Sequence, residues 1–146
     1  MQNRLQFQTL AAQIDLPTTT FLEITDLGFE VEAGNTYFFT ADVSARMHAT
    51  PDFKMRIDAP DGEATVGHLA VNHVENAVSR TPPCNTSTGN LTSATSTTAD
   101  SISVSGWLTP ATSGRVQFFA GRNTAGTADH IVFVAVGSWS KAERID

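Results

Sequence analysis

Cysteine is almost absent from this chain: Cys84 is the single one in 146 residues. No intramolecular disulfide can form, so stability must come from packing or from association with neighbouring subunits. Charge is also sparse. Charged residues make up 16% of the chain, against roughly 25% in an average globular protein. Nine Lys and Arg are scattered among fifteen Asp and Glu, for a net charge of −6, and this weighs against nucleic acid as a partner, because phosphate neutralisation requires clustered cations. Long apolar runs are missing too. The run Ile131 to Val136 is far shorter than the ~20 residues a membrane helix needs, and the opening MQNRLQFQTL has no apolar core of a signal peptide. A soluble chain with no membrane partner and nothing directing secretion is expected.

Catalytic signatures are equally scarce. No G-x-S-x-G elbow, P-loop or dinucleotide fingerprint occurs, and no Cys and His pairing suggests an activated thiol. Of the four histidines, His48, His68, His73 and His130, His68 and His73 stand five apart, which on a regular strand puts them on opposite faces rather than on one metal. Asp58, Asp61 and Glu63 surround a glycine but lack the offsets and terminal glutamate of an EF-hand loop. A solvated turn is the simpler reading. Two sequons, Asn85-Thr86-Ser87 and Asn90-Leu91-Thr92, are what chance gives in a segment so rich in Asn, Ser and Thr. The expectation is a non-enzymatic protein with no cofactor and no metal.

What is present is a two-residue apolar period. Tyr37, Phe39, Ala41 and Val43 fall on one face of a strand, with Phe38, Thr40 and Asp42 on the other. Phe53, Met55 and Ile57 alternate likewise, and Ala59-Pro60-Asp61-Gly62 supplies a turn, from which a hairpin into Thr65 to Asn72 is expected. Ile102, Val104, Gly106 and Leu108 oppose a hydroxylated face, Ser101, Ser103 and Ser105, that Trp107 interrupts. Pro110 to Gly114 turns the chain, Val116, Phe118 and Ala120 alternate again, and Gly121 to Asp129 forms a loop. Ile131 to Trp139, apolar on both faces, reads as a long central strand. Phe39, Phe118 and Phe133 are the core phenylalanines expected from alternation.

Residues 79–100 are Ser, Thr, Pro, Asn, Gly and Ala with little to bury except Leu91, and read as a long surface loop. Residues 1–17 read as an N-terminal arm or edge strand, and residues 18–146 as one domain. The predicted class is all-β: an antiparallel β-sandwich, jelly-roll-like, with about eight strands.

Three stretches taken together resemble a β-sandwich domain recurrent in virion proteins of tailed bacteriophages. They are Leu27-Gly28-Phe29-Glu30-Val31-Glu32-Ala33-Gly34-Asn35-Thr36-Tyr37-Phe38-Phe39, then Ile102 to Leu108 with Ser113 to Phe118, and last Val134 to Ile145 with its Gly137-Ser138 pair. The resemblance implies no catalytic residues; it implies a role and a setting. With no coiled coil, collagen-like stalk or fibre-forming segment in the sequence, it points to a capsid decoration (cement) protein on the outer surface of the virion head. The major capsid protein and the chain itself, as a homotrimer, are the implied partners. A tail-fibre or receptor-binding module recognising host-surface glycans is the alternative. The interface residues expected are Phe38 and Trp107, which lie on the outward phase of their strands, together with Leu5 and Phe7 of the N-terminal segment. Large outward aromatics need cover, and burying each contributes about 1.5–3 kcal/mol.

Overall fold

The computed structural model describes residues 5–46, 53–63, 70–73, 88–91, 99–122 and 133–145, with side chains described for 5–45, 54–61, 103–122 and 133–145. In chain order the elements are β1 (Leu5–Thr9), β2 (Ile14–Asp15), β3 (Leu22–Glu23), a single 3-10 turn (Thr25–Leu27), β4 (Phe29–Val31), β5 (Tyr37–Arg46), β6 (Phe53–Ala59), β7 (Gly62–Glu63), β8 (Ala70–His73), β9 (Thr88–Leu91), β10 (Ala99–Leu108), β11 (Gly114–Arg122), β12 (Phe133–Val134) and β13 (Trp139–Arg144). Every pairing is antiparallel.

Among the described residues thirteen strand segments stand where about eight strands are expected, because several strands are broken into collinear pieces. β12 and β13 lie along one flank of β5, and β2 and β1 lie outside them in turn. In the second sheet β3 and β4 share one flank of β11, while β7 and β9 share one flank of β6. Merging the pieces gives a first sheet ordered β1/β2, β12/β13, β5, β10, with β8 added at its far edge. The second sheet is ordered β3/β4, β11, β6, β9. That is the double Greek-key order of a jelly roll.

Burial follows the predicted alternation. In β5, Tyr37, Phe39, Ala41, Val43 and Ala45 are buried and Phe38 is exposed. The core is centred on Phe29, Phe39 and Phe118, whose ring centroids lie 5.8–6.4 Å apart, in the range for tilted and edge-on aromatic packing. Phe39 comes from the first sheet and the other two from the second, so this trio joins the layers. The Tyr37 hydroxyl accepts the Glu32 amide at 3.0 Å and anchors the turn that feeds β5.

Five expectations need correction. The expected turn is present, with Ala59 paired to Gly62 across Pro60 and Asp61, but Ala70 to Asn72 of the expected return strand pair with β10 in the other sheet, and residues 64–69 lie outside the described ones. Within residues 79–100, Thr88–Leu91 is a strand on β6, and Ala99 and Asp100 open β10; the other residues of that range lie outside the described ones. Gly121 and Arg122 end β11 rather than beginning a loop. Residues 131–139 are not one strand. Among the described residues, Phe133 and Val134 pair before the chain leaves the sheet at Val136 and Gly137 and returns at Trp139, while residues 131 and 132 lie outside the described ones.

Gly137 has φ +92°, a left-handed conformation that side chains disfavour, so its role is to turn the chain. Across this break Ala135 to Ser138 face just Val43 and Ser44 of β5. The buried Ser138 closes the gap: the Ser44 amide donates to its Oγ at 3.0 Å, and Oγ donates to the Ala135 carbonyl at 2.8 Å. Ser138→Ala leaves both groups without that partner in the interior, and should cost about 1–3 kcal/mol. Chemical denaturation of the variant checks this. Phe133, next to the break, is half-buried and is not a core residue.

Candidate functional site

The four strands β1, β13, β5 and β10 lay their outward side chains in rows across the first sheet. Leu5 pairs with Glu143, Glu143 with Phe38, and Phe38 with Trp107. With neighbouring strands about 4.8 Å apart, this row runs about 14 Å. Leu5 is 46% exposed, Phe38 38% and Trp107 45%. Their inward neighbours, Phe39 on β5 and Leu108 on β10, are buried, so strand alternation compels the outward placement. Three of the four residues expected at an interface therefore share one row.

The fourth, Phe7, belongs to the next row, Phe7, Lys141, Thr40 and Ser105; the row after that is Thr9, Trp139, Asp42 and Ser103. Phe7 is 60% exposed and stacks on Trp139, with centroids 5.9 Å apart and planes 24° from parallel. On the β5 side of Trp139 the sheet holds a shallow depression of about 250 Å³, lined by Thr40, Asp42, Ser103, Ser105 and Trp139. Ala41 and Val104 point into the core and contribute its backbone floor. The face thus has at one end a row in which the exposed Glu143 separates Leu5 from the Phe38 and Trp107 pair, and at the other a hydroxylated hollow beside an indole.

The outer face of the second sheet is built differently. Its aromatics, Phe21 and Phe119, carry cations on their rings: Arg56 lies 4.7 and 4.6 Å from the two centroids, and Lys54 lies 4.3 Å from that of Phe21. Asp58 pairs with Arg56 at 3.1 Å. The first sheet, by contrast, carries the exposed residues Leu5, Phe7, Phe38 and Trp107 on its outer face.

Asp58 and Asp61 have structural work, since Asp61 accepts the Ala111 amide at 2.8 Å, and Glu63 is described only as a backbone position in β7. No cluster of three metal-ligating side chains occurs among the described residues. His48, His68 and His130 lie outside them, and of His73 only the backbone in β8 is described. Asn90 lies in β9, and Asn85 is outside the described residues. Among the described residues no helix is long and apolar enough to cross a membrane.

Trp139, Thr40, Asp42, Ser103 and Ser105 are the site residues that sequence reasoning missed. Half of the signal was visible, in the hydroxylated phase of β10. The other half was hidden, because Trp139 at the end of an apolar run reads as core. No protein-family model matches this chain, and no curated protein is similar to it.

Proposed function

We propose that this chain is a non-enzymatic structural protein of a virion, a decoration protein that docks on the outer surface of a bacteriophage capsid and braces it. The observation that carries the reading is the row Leu5, Phe38 and Trp107. Exposed aromatics held rigidly on a sheet are the side chains that anchor protein interfaces, and a chain with one cysteine gains stability by sharing such surface with neighbours. The three sequence stretches that resemble phage virion domains supply the setting. Both the major capsid protein and further copies of this chain, as a homotrimer, are partners of this face.

Imaging purified particles with an antibody fragment against this chain tests the location. Regularly spaced label over the head is the expected result. Label confined to fibre tips would replace this reading with that of a receptor-binding module, and unlabelled particles would overturn a virion role.

A further inference from the structure

We infer that β1 is an exchangeable strap: the slot it fills, along the outer flank of β13, receives the same strand from a second copy of this chain. The inference rests on the reading that copies of this chain associate, and it states how they are joined. Leu5, Phe7 and Thr9 are exposed, and the inward-facing Gln6 and Gln8 are half-buried, so β1 adds no side chain to the core. It is held by its ladder to β13, from Leu5 with Glu143 to Thr9 with Trp139, by the stacking of Phe7 on Trp139 and by the side-chain amide of Gln6. Ladder bonds exchanged for bonds to water cost little net, and an edge strand that buries no apolar side chain is among the first elements to open. Leu10, buried just beyond the strand, has its amide on the Ser138 carbonyl at 2.8 Å and travels with it. Ala11, Ala12 and Gln13 follow, all exposed, and give a hinge about 10 Å long. The Ala11 amide, which donates to the Asp26 carboxylate at 3.2 Å, is released when the hinge swings.

The slot selects its own strand. β4 pairs with β11 on one flank. Toward β1, Gln6 Nε2 donates to the Glu30 carbonyl at 2.7 Å, and Gln6 Oε1 accepts the Glu30 amide at 2.9 Å. A primary amide, which both donates and accepts, thus stands in for a strand residue and stitches the edge of the first sheet to the edge of the second. A foreign strand has to set such an amide at this one register, whereas β1 of another copy brings Gln6, Phe7 and Leu10 already in place. The same contacts form within one chain or between two, so exchange of an identical element is a low-cost route to association. Copies already touching through Phe38 and Trp107 hold a neighbouring slot at high effective concentration, which favours the exchange.

Gln8 and Ser140 are register partners that both face inward. Partners across antiparallel strands have Cα atoms about 4.5–5.5 Å apart, within reach of a disulfide, and their inward phase means that two surfaces merely touching cannot join them. With Cys84→Ser removing the native thiol, one batch carries Gln8→Cys and another Ser140→Cys, so neither can link within its own chain. The two are unfolded together in urea, refolded at high micromolar concentration and oxidised. A covalent heterodimer, identified by mass on a non-reducing denaturing separation, is the expected result. Multimers by light scattering without that heterodimer overturn the exchange and leave association standing; a monomer by light scattering overturns both. Ser140 Oγ donates to the Leu27 carbonyl at 2.6 Å, so circular dichroism first checks that Ser140→Cys is folded. Leu5→Cys with Glu143→Cys, register partners on the outer face, repeats the test if it is not.

Discussion

Phe118→Ala should lower the free energy of unfolding by about 3–5 kcal/mol, the usual cost of deleting a buried aromatic. Phe118 is fully buried and touches the rings of Phe29 and Phe39 at centroid separations of 6.3 and 6.4 Å. The backbones on either side are fixed by strand pairing, β11 with β6 and β5 with β10, so the vacated space cannot close by a local shift. A domain of ordinary stability has about 5–15 kcal/mol to lose. The variant should therefore unfold at a much lower urea concentration with an unchanged slope. A shift worth less than about 1 kcal/mol would mean that the trio does not join the two sheets as described.

The second large effect concerns association. Replacing Phe38 and Trp107 together with Ser should weaken self-association and docking by about 10²–10⁴-fold, since burying each ring contributes about 1.5–3 kcal/mol before ordering costs are deducted. The two are cross-strand neighbours, so their effects will not add independently. Light scattering should find the wild-type protein as a trimer and the double variant as a folded monomer with an unchanged circular dichroism spectrum. A wild-type protein that is monomeric at high micromolar concentration would reject the oligomer. Unfolding of the variant would place these rings in a structural role rather than a contact one.

The strands that alternate cleanly were legible in the amino-acid order. Over their described side chains β5, β6, β10 and β11, the last as far as Ala120, bury every second residue against the other sheet, and their inward residues could be named because solvent on one side and core on the other impose the period. The outward phase of Phe38 and Trp107 follows from the same rule. Illegible were the features set by distant pairing. Whether Ala70–His73 returns to β6 or crosses to β10 depends on which edge is free, and nothing within those four residues decides it. The break at Gly137 was hidden for another reason. Val134, Ala135 and Val136 read as continuous strand, whereas the turn is made by one positive φ and by the Ser138 hydroxyl filling the gap. The hollow beside Trp139 needs three strands that are far apart in the chain, so only its β10 flank could be glimpsed.

The placement of β13 bears on how the protein is made. That strand is inserted between β1 and β5, pairing Leu5 with Glu143 on one side and Phe38 with Glu143 on the other. A ribosome therefore releases the N-terminal strand long before its partner exists. Until Trp139 to Arg144 emerge, β5 has one open flank and β1 has no neighbour, and both expose unpaired amides to other nascent chains. Such non-local closure is slow compared with hairpin formation. The final strand acts as a keystone, and a product stopped before it would present two sticky edges where the finished sheet has a filled slot.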